Sequence, residues 1–240
     1  MKITSPTIVV RQSADRGHAR HGWLDSQHTF SFGHYVDPDH MGFRSLRVIN
    51  QDRVAPGAGF PEHPHRDMEI FSYVLEGAIS HKDSMGNQRE LHPGQIQLMS
   101  AGSGVTHSEF NPSKSHPLHL LQIWIQPREK GLEPSYTEWH PDEESELQSK
   151  TLLISPDGRN QSAVIQQDAE VYRVRLEPGE RISHTLGEGR GIWLQVISGF
   201  VRLNEMDLRP GDGASSEEPG EFTITADVET PVEALLFDLR

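Results

Sequence analysis

Cysteine is absent from the 240 residues. That removes disulfides and thiolate chemistry and leaves histidine and the carboxylates as the leading metal-ligating side chains. No stretch approaches the roughly 20 consecutive apolar residues of a membrane-spanning helix. The N-terminal MKITSPTIVVRQSADRGHAR has only IVV as an apolar core, too little for a secretory signal. These absences together predict a cytoplasmic protein with no membrane partner. Basic residues are scarce as well: 22 Lys and Arg stand against 35 Asp and Glu, for a formal net charge of −13. A nucleic-acid partner needs a basic face, so direct binding of DNA or RNA is not expected. The acidity reads as a solubility feature.

Helix signals are few, whereas glycine (21) and proline (16) recur along the chain. Between them lie short β-rich runs: RSLRVIN, EIFSYVLEG, QIQLMSAG, LHLLQIWIQP, VYRVRLEPG, WLQVISGFVRL, EFTITA and VEALLFDL. Many short strands separated by turn residues predict an all-β sandwich or barrel. The acidic HPDEESELQSK, residues 140–150, reads as a short helix or linker at a domain boundary. An internal repeat supports that boundary. VAPG, VLEGAI and ELHPGQ in the first half match LEPG, VISGFV and DLRPGD in the second. Gly57 to Gly77 and Gly179 to Gly199 are both 20 residues apart. Gly77 to Gly94 is 17, against 12 from Gly199 to Gly211, which places a longer hairpin, HKDSMGNQRE, in the first half. Two domains are expected, residues 1–140 and 141–240.

The chemistry gathers in the first half. In FPEHPHRDMEIFSYVLEG, His63 and His65 are two apart and so share one face of a strand. If that strand runs on unbroken, Asp67 and Glu69 share the face too. In SAGSGVTHSEFNPS, about forty residues later, His107 and Glu109 are again two apart, with Asn111 following on the same side. Two strands that each offer a pair of inward side chains can converge on one ion. Three imidazoles with a carboxylate make a mixed nitrogen and oxygen set, suited to Fe(II), Mn, Ni, Co, Cu or Zn. Parity allows either Glu69 or Glu109 as the carboxylate. His81, His92, His116, His119 and His140 lack such context and read as surface residues or supports behind the ligands. The glycine offsets pair His63, His65 and Glu69 with Thr185, Gly187 and Gly191, and His107 and Glu109 with Ile224 and Ala226. His184 falls one position from the His63 equivalent. One metal site, in the first half only, is therefore expected.

HPHRDMEIFSYVLEG and GSGVTHSEFNP resemble the pirin family of the cupin superfamily. GHARHGWLDSQHTFSFGHYVDPDHMGFRSLRVIN resembles the bacterial pirin-like quercetin 2,3-dioxygenases. The likeness runs almost the whole length. It implies an all-β bicupin: an N-terminal metal-binding cupin barrel followed by a degenerate C-terminal one without metal. The first cupin motif is met by Gly57, His63, His65 and Glu69, but its closing glycine, Gly77, comes one residue late. The second motif carries two extra residues between Gly102 and His107. The resemblance implies metal ligation by His63, His65, His107 and Glu109, with Glu69 in reserve. It also implies an Fe(II) or similar divalent ion and a dioxygenase that opens a flavonol such as quercetin with dioxygen. In that chemistry Glu109 acts as the general base, and Trp23, Phe30, Phe32 and Phe43 are candidates for a ring entrance, at least half of them ordinary core. The alternative it implies is a pirin-type regulator that binds a protein partner without turnover.

Overall fold

The computed structural model describes residues 6–240, and apart from short helical turns they are strands and loops. Two compact units form. One comprises Gly17–Pro141 with Pro156–Asp168; the other comprises the described residues up to Arg16 with Asp142–Ser155 and Ala169–Arg240. Val9–Arg11 pairs as a strand with Gly213–Ser216 in the later unit. In the earlier unit, Gln166 donates its N–H to Glu69 and accepts from the N–H of Arg128. The 140–150 stretch forms a single helical turn, Glu143–Glu146, capped reciprocally by Asp142 and Ser145.

In the first unit, one antiparallel sheet runs in the order Ser135–Trp139, Ile96–Ser100, Glu69–Glu76, Leu118–Ile125, Leu46–Val54, Leu24–His28, Gly17–Arg20. A second has the order Gly59–His65, Val105–Phe110, Ile79–Asp83, Gln88–Leu91. The last two strands are the HKDSMGNQRE hairpin. The central strands are buried on both faces, which is why they read as near-continuous apolar runs. One apolar cluster of this unit is built from Val54, Val74, Ile79, Leu91, Leu118 and Leu120. Gly59–His65 is the edge strand of its sheet, the position where prolines such as Pro61 and Pro64 are tolerated. Gly59 itself is forced: a Cβ would lie 2.2 Å from the carbonyl oxygen of Glu109.

The later unit repeats the plan. One sheet orders Val9–Arg11, Gly213–Ser216, Gly191–Ser198, Val232–Leu239, Ala169–Leu176, Lys150–Ser155; the other orders Arg181–Leu186, Gly220–Ala226, Val201–Leu203, Met206–Leu208. The glycine offsets slip by one residue of parity in the edge strand. Thr185 is exposed, while His184 and Leu186 are buried and Ile182 packs against the core. His184 faces Phe222 across the ladder, and Ile182 faces Ile224. Leu186, Phe222, Ile224 and Ala226 all belong to one buried apolar cluster. Where the first unit points imidazoles inward, the second packs hydrocarbon. No helix of the described residues is long and apolar enough to cross a membrane.

Because Phe222 is fully buried in that cluster, Phe222→Ala is expected to destabilise the later unit by about 3–5 kcal/mol. Thr185→Ala, one strand away and exposed, is expected to cost about 0.5 kcal/mol or less. Urea unfolding midpoints of the two variants check the contrast.

Candidate metal centre

His63 and His65 sit on Gly59–His65, and His107 and Glu109 on Val105–Phe110; the two strands pair so that His63 lies directly opposite His107. The ring centroids of His63, His65 and His107 are 4.5–4.8 Å apart. One nitrogen from each lies within 4.8 Å of the other two. Nδ1 of His63 is 2.8 Å from the carbonyl oxygen of Pro61. A carbonyl can only accept, so Nδ1 carries the proton and Nε2 turns its lone pair into the cluster. That Nε2 is 3.1 Å from Nε2 of His107. Among the described residues, His65 Nε2 and His107 Nδ1 are buried with no hydrogen-bond partner. An orphaned, buried imidazole nitrogen beside two others is what a cation would satisfy. The residues therefore fit a divalent metal.

Electrostatics agree. Burial pushes His65 down to about 4, with His107 and His63 adding to the effect. Burial, then His63 and His81, pushes His107 down to about 3. Both rings are neutral at physiological pH, as ligation requires.

Glu109 is 3% exposed. Its Oε1 accepts from Ser72 Oγ at 3.2 Å and Gln97 Nε2 at 3.3 Å, and its Oε2 from Gln122 Nε2 at 3.0 Å. Glu109 groups with His107 and His81 within 4.8 Å, so His107 belongs to both sets. His81, which the sequence left among surface residues or supports, is fully buried. Its Nδ1 accepts from Gln97 at 2.9 Å and its Nε2 donates to Asp83 at 3.2 Å. His119 is also buried and bonds Gln51; His92, His116 and His140 are exposed.

Glu69 lies elsewhere. The chain breaks at Asp67, whose φ is +52°, before the strand Glu69–Glu76 begins. The break resets the parity on which a shared face depended. Glu69 instead accepts from Ser100 Oγ at 2.6 Å and from the N–H of Gln166 at 3.2 Å. Asn111, the third residue on the His107 side, turns its amide to the carbonyls of Val54, Ala55 and His116.

What the sequence reading missed is the polar row beneath the carboxylate. His28, Asn50, Gln122, Ser72 and Gln97 stand opposite one another across five strands. Each of the last three interrupts an apolar run (LQIW, FSYV, IQLM) with one polar residue, and Asn50 ends one (LRVIN). Such an interruption is the signal that could have found them, because a buried polar side chain needs a partner.

His63, His65 and Glu109 open onto a cavity of about 580 Å³. Its apolar walls are Phe32, Tyr35, Phe60 and Trp124. Trp124 packs edge-on against His65 at 4.9 Å and against Phe32 at 5.4 Å. Of the four aromatic residues suggested for an entrance, Phe32 lines this cavity. Phe30 is buried, Trp23 packs edge-on against Phe60 at 5.1 Å, and Phe43 is half-buried.

Two antiparallel units of this plan, one with inward imidazoles around an aromatic cavity, define a bicupin. A family model described as Pirin matches residues 9–125, and one described as Quercetinase C-terminal cupin domain matches 152–239. A quercetin 2,3-dioxygenase of Escherichia coli is 47% identical over 97% of this chain and 98% of its own. The crystal structure of YhhW from Escherichia coli superposes with a TM-score of 0.93 at 47% identity, covering 98% of each chain. A structure of bacterial pirin YhhW in complex with nickel(II) gives 0.92 at 46% identity, over 97% of this chain and 99% of that one. The chain belongs to the pirin family.

Two outcomes are expected. His107→Ala should lose bound metal severely while His184→Ala retains it, as elemental analysis of the purified variants will report. Equal losses would overturn the assignment of the ion to one unit. Second, the metal-free protein should lose stability as pH falls. The two depressed imidazoles take protons in the unfolded chain near the ordinary value of about 6.5 and in the folded chain only near 4 and 3. Stability is then full above about 6.5 and declines as pH drops through that window. Melting temperatures between pH 7 and pH 4 test it, and bound nickel should shift the curve upward.

Proposed function

We propose that the protein is a metal-dependent dioxygenase that opens the central ring of a flavonol such as quercetin. His63, His65, His107 and Glu109 hold the ion, and Fe(II) is the ion we expect, with nickel, cobalt, manganese, copper or zinc accepted by the same donors. The observation that carries the reading is three converging imidazoles, two of them with a buried nitrogen that has no partner among the described residues, beside a cavity walled by aromatic rings. The Escherichia coli relative, named quercetin 2,3-dioxygenase, supports the same chemistry.

When bound, the ion supplies Lewis acidity toward a phenolic oxygen. The remaining work falls to the chain. Phe32, Phe60 and Trp124 offer flat apolar surface to a ring system and exclude water from it. Glu109 Oε2, which among the described residues accepts a single hydrogen bond, from Gln122, is the atom that takes the phenolic proton. Ser72 and Gln97 hold the other oxygen in place during that transfer. The deprotonated, electron-rich ring then reacts with dioxygen. Both oxygen atoms enter the opened product and the lost ring carbon leaves as carbon monoxide, so no outside reductant is needed.

The test is quercetin in air-saturated buffer with protein loaded separately with each ion, following flavonol absorbance and released carbon monoxide. Turnover is expected with at least one ion, and His63→Ala should lower it on the order of 100-fold or more. This resembles the loss that follows disturbance of a metal site. Absence of turnover with every ion, in protein shown to contain metal, overturns the reading.

A further inference from the structure

The cavity carries a second set of polar groups that the reaction above does not use. They come from the other sheet of the unit: Ser26 and His28 on Leu24–His28, and Asn50 and Asp52 on Leu46–Val54, all lining the same space as the imidazoles. Asp52 is 3% exposed. Its Oδ1 accepts a hydrogen bond from Ser26 Oγ. No salt bridge to Asp52 is found among the described residues. Burial pushes this carboxyl up to about 7, against the Ser26 bond and with Glu109 adding to the rise. A carboxyl group placed in a cavity wall without a cation is costly for folding, and an apolar residue of similar size would serve packing better. Asn50 is 3% exposed, and its Oδ1 lies 2.8 Å from Nδ1 of His28, which leaves the amide N–H₂ group for another acceptor.

Asp52 and Asn50 are two apart on one strand, so they present an acceptor and a donor side by side, roughly 7 Å apart along the backbone. A bound cation would have no use for the amide donor, and an anion would be repelled by the carboxylate. A ring bearing hydroxyl groups satisfies both: one hydroxyl donates to Asp52, and another oxygen accepts from Asn50. The imidazoles and this pair stand on different sheets, so a flat ligand that meets both must carry oxygen at two separated places. We propose that Asp52 and Asn50 are a second anchor of the cavity, binding hydroxyl groups on a polyhydroxylated aromatic ligand and setting the preference for such rings. The proposal rests on the flavonol reading above.

Equilibrium binding to metal-loaded protein, kept free of dioxygen, tests it without turnover. Trp124 lines the cavity, so quenching of tryptophan fluorescence reports occupancy. The ligands are quercetin and 3-hydroxyflavone, which keeps the ring system and the single 3-hydroxyl. For the unaltered protein, quercetin should bind roughly 10-fold or more tightly than 3-hydroxyflavone, the scale of a hydrogen bond to a buried charged or polar group. Asp52→Asn and Asn50→Leu should each bring that ratio close to one while 3-hydroxyflavone affinity stays within about twofold, which also shows the cavity intact. Ser26→Ala should shift the ratio the same way by less. Binding of both ligands with the ratio unchanged in all three variants overturns the proposal alone. Failure of the unaltered protein to bind either ligand overturns the flavonol reading and the proposal together.

Discussion

Glu109 sits almost wholly out of water, and three neutral donors from three strands meet its two oxygens. An ionised carboxylate in such a place is tolerable only when its lone pairs are filled or a cation stands close. The requirement reaches far into the fold. Ser72, Gln97 and Gln122 must all face inward at one level, so the pairing of Glu69–Glu76 with both Ile96–Ser100 and Leu118–Ile125 is constrained together. A slip of one residue in any of these strands would turn its polar side chain to the opposite face. The carboxylate, the imidazoles and the sheet register are thus one problem with one solution. His81 extends it: through Gln97 it links the carboxylate to Asp83, itself tied to the hairpin turn by Asn87.

The later unit shows what the same strand plan does when released from that demand. Its inward positions carry Leu186, Phe222 and Ile224, and the barrel fills with hydrocarbon. His184 survives there, but as a supported side chain: Nε2 meets Asp238 at 2.8 Å and Nδ1 meets Lys150 at 2.8 Å. Arg190 bonds the same carboxylate. With both ring nitrogens occupied, His184 has no lone pair to offer an ion. The contrast between His184 and His65, whose buried Nε2 has no partner among the described residues, separates a structural imidazole from a candidate ligand better than residue type does.

Much of the fold was legible in the chain because turn residues and short β-rich runs are local signals. The repeat, the hairpin of the first half and the placing of His63 with His65, and of His107 with Glu109, on one strand face follow from glycine spacing and a side-chain period of two. Legibility failed where the period was interrupted. Asp67 takes a left-handed conformation and separates Glu69 from the face of His65. In the later unit, the edge strand turns His184 inward where the offset suggested Thr185, and Ile224, inward as its offset suggested, faces Ile182. Counting from a glycine preserves distance along the chain, but it does not preserve parity through an irregular turn.

By itself, the sequence determined an all-β chain with a duplicated plan and a first half in which two histidines, and later a histidine and a glutamate, project from their strands in pairs. Those features depend on neighbours in the chain, and alternation carries them. Tertiary structure decided the rest. It decided which carboxylate lies by the imidazoles, that His81 and Gln97 stand behind it, and that Asp52 and Asn50 face the same cavity from another sheet. These depend on which strand lies beside which. Pairing between strands tens of residues apart is set by the burial of whole faces, which no local spacing records.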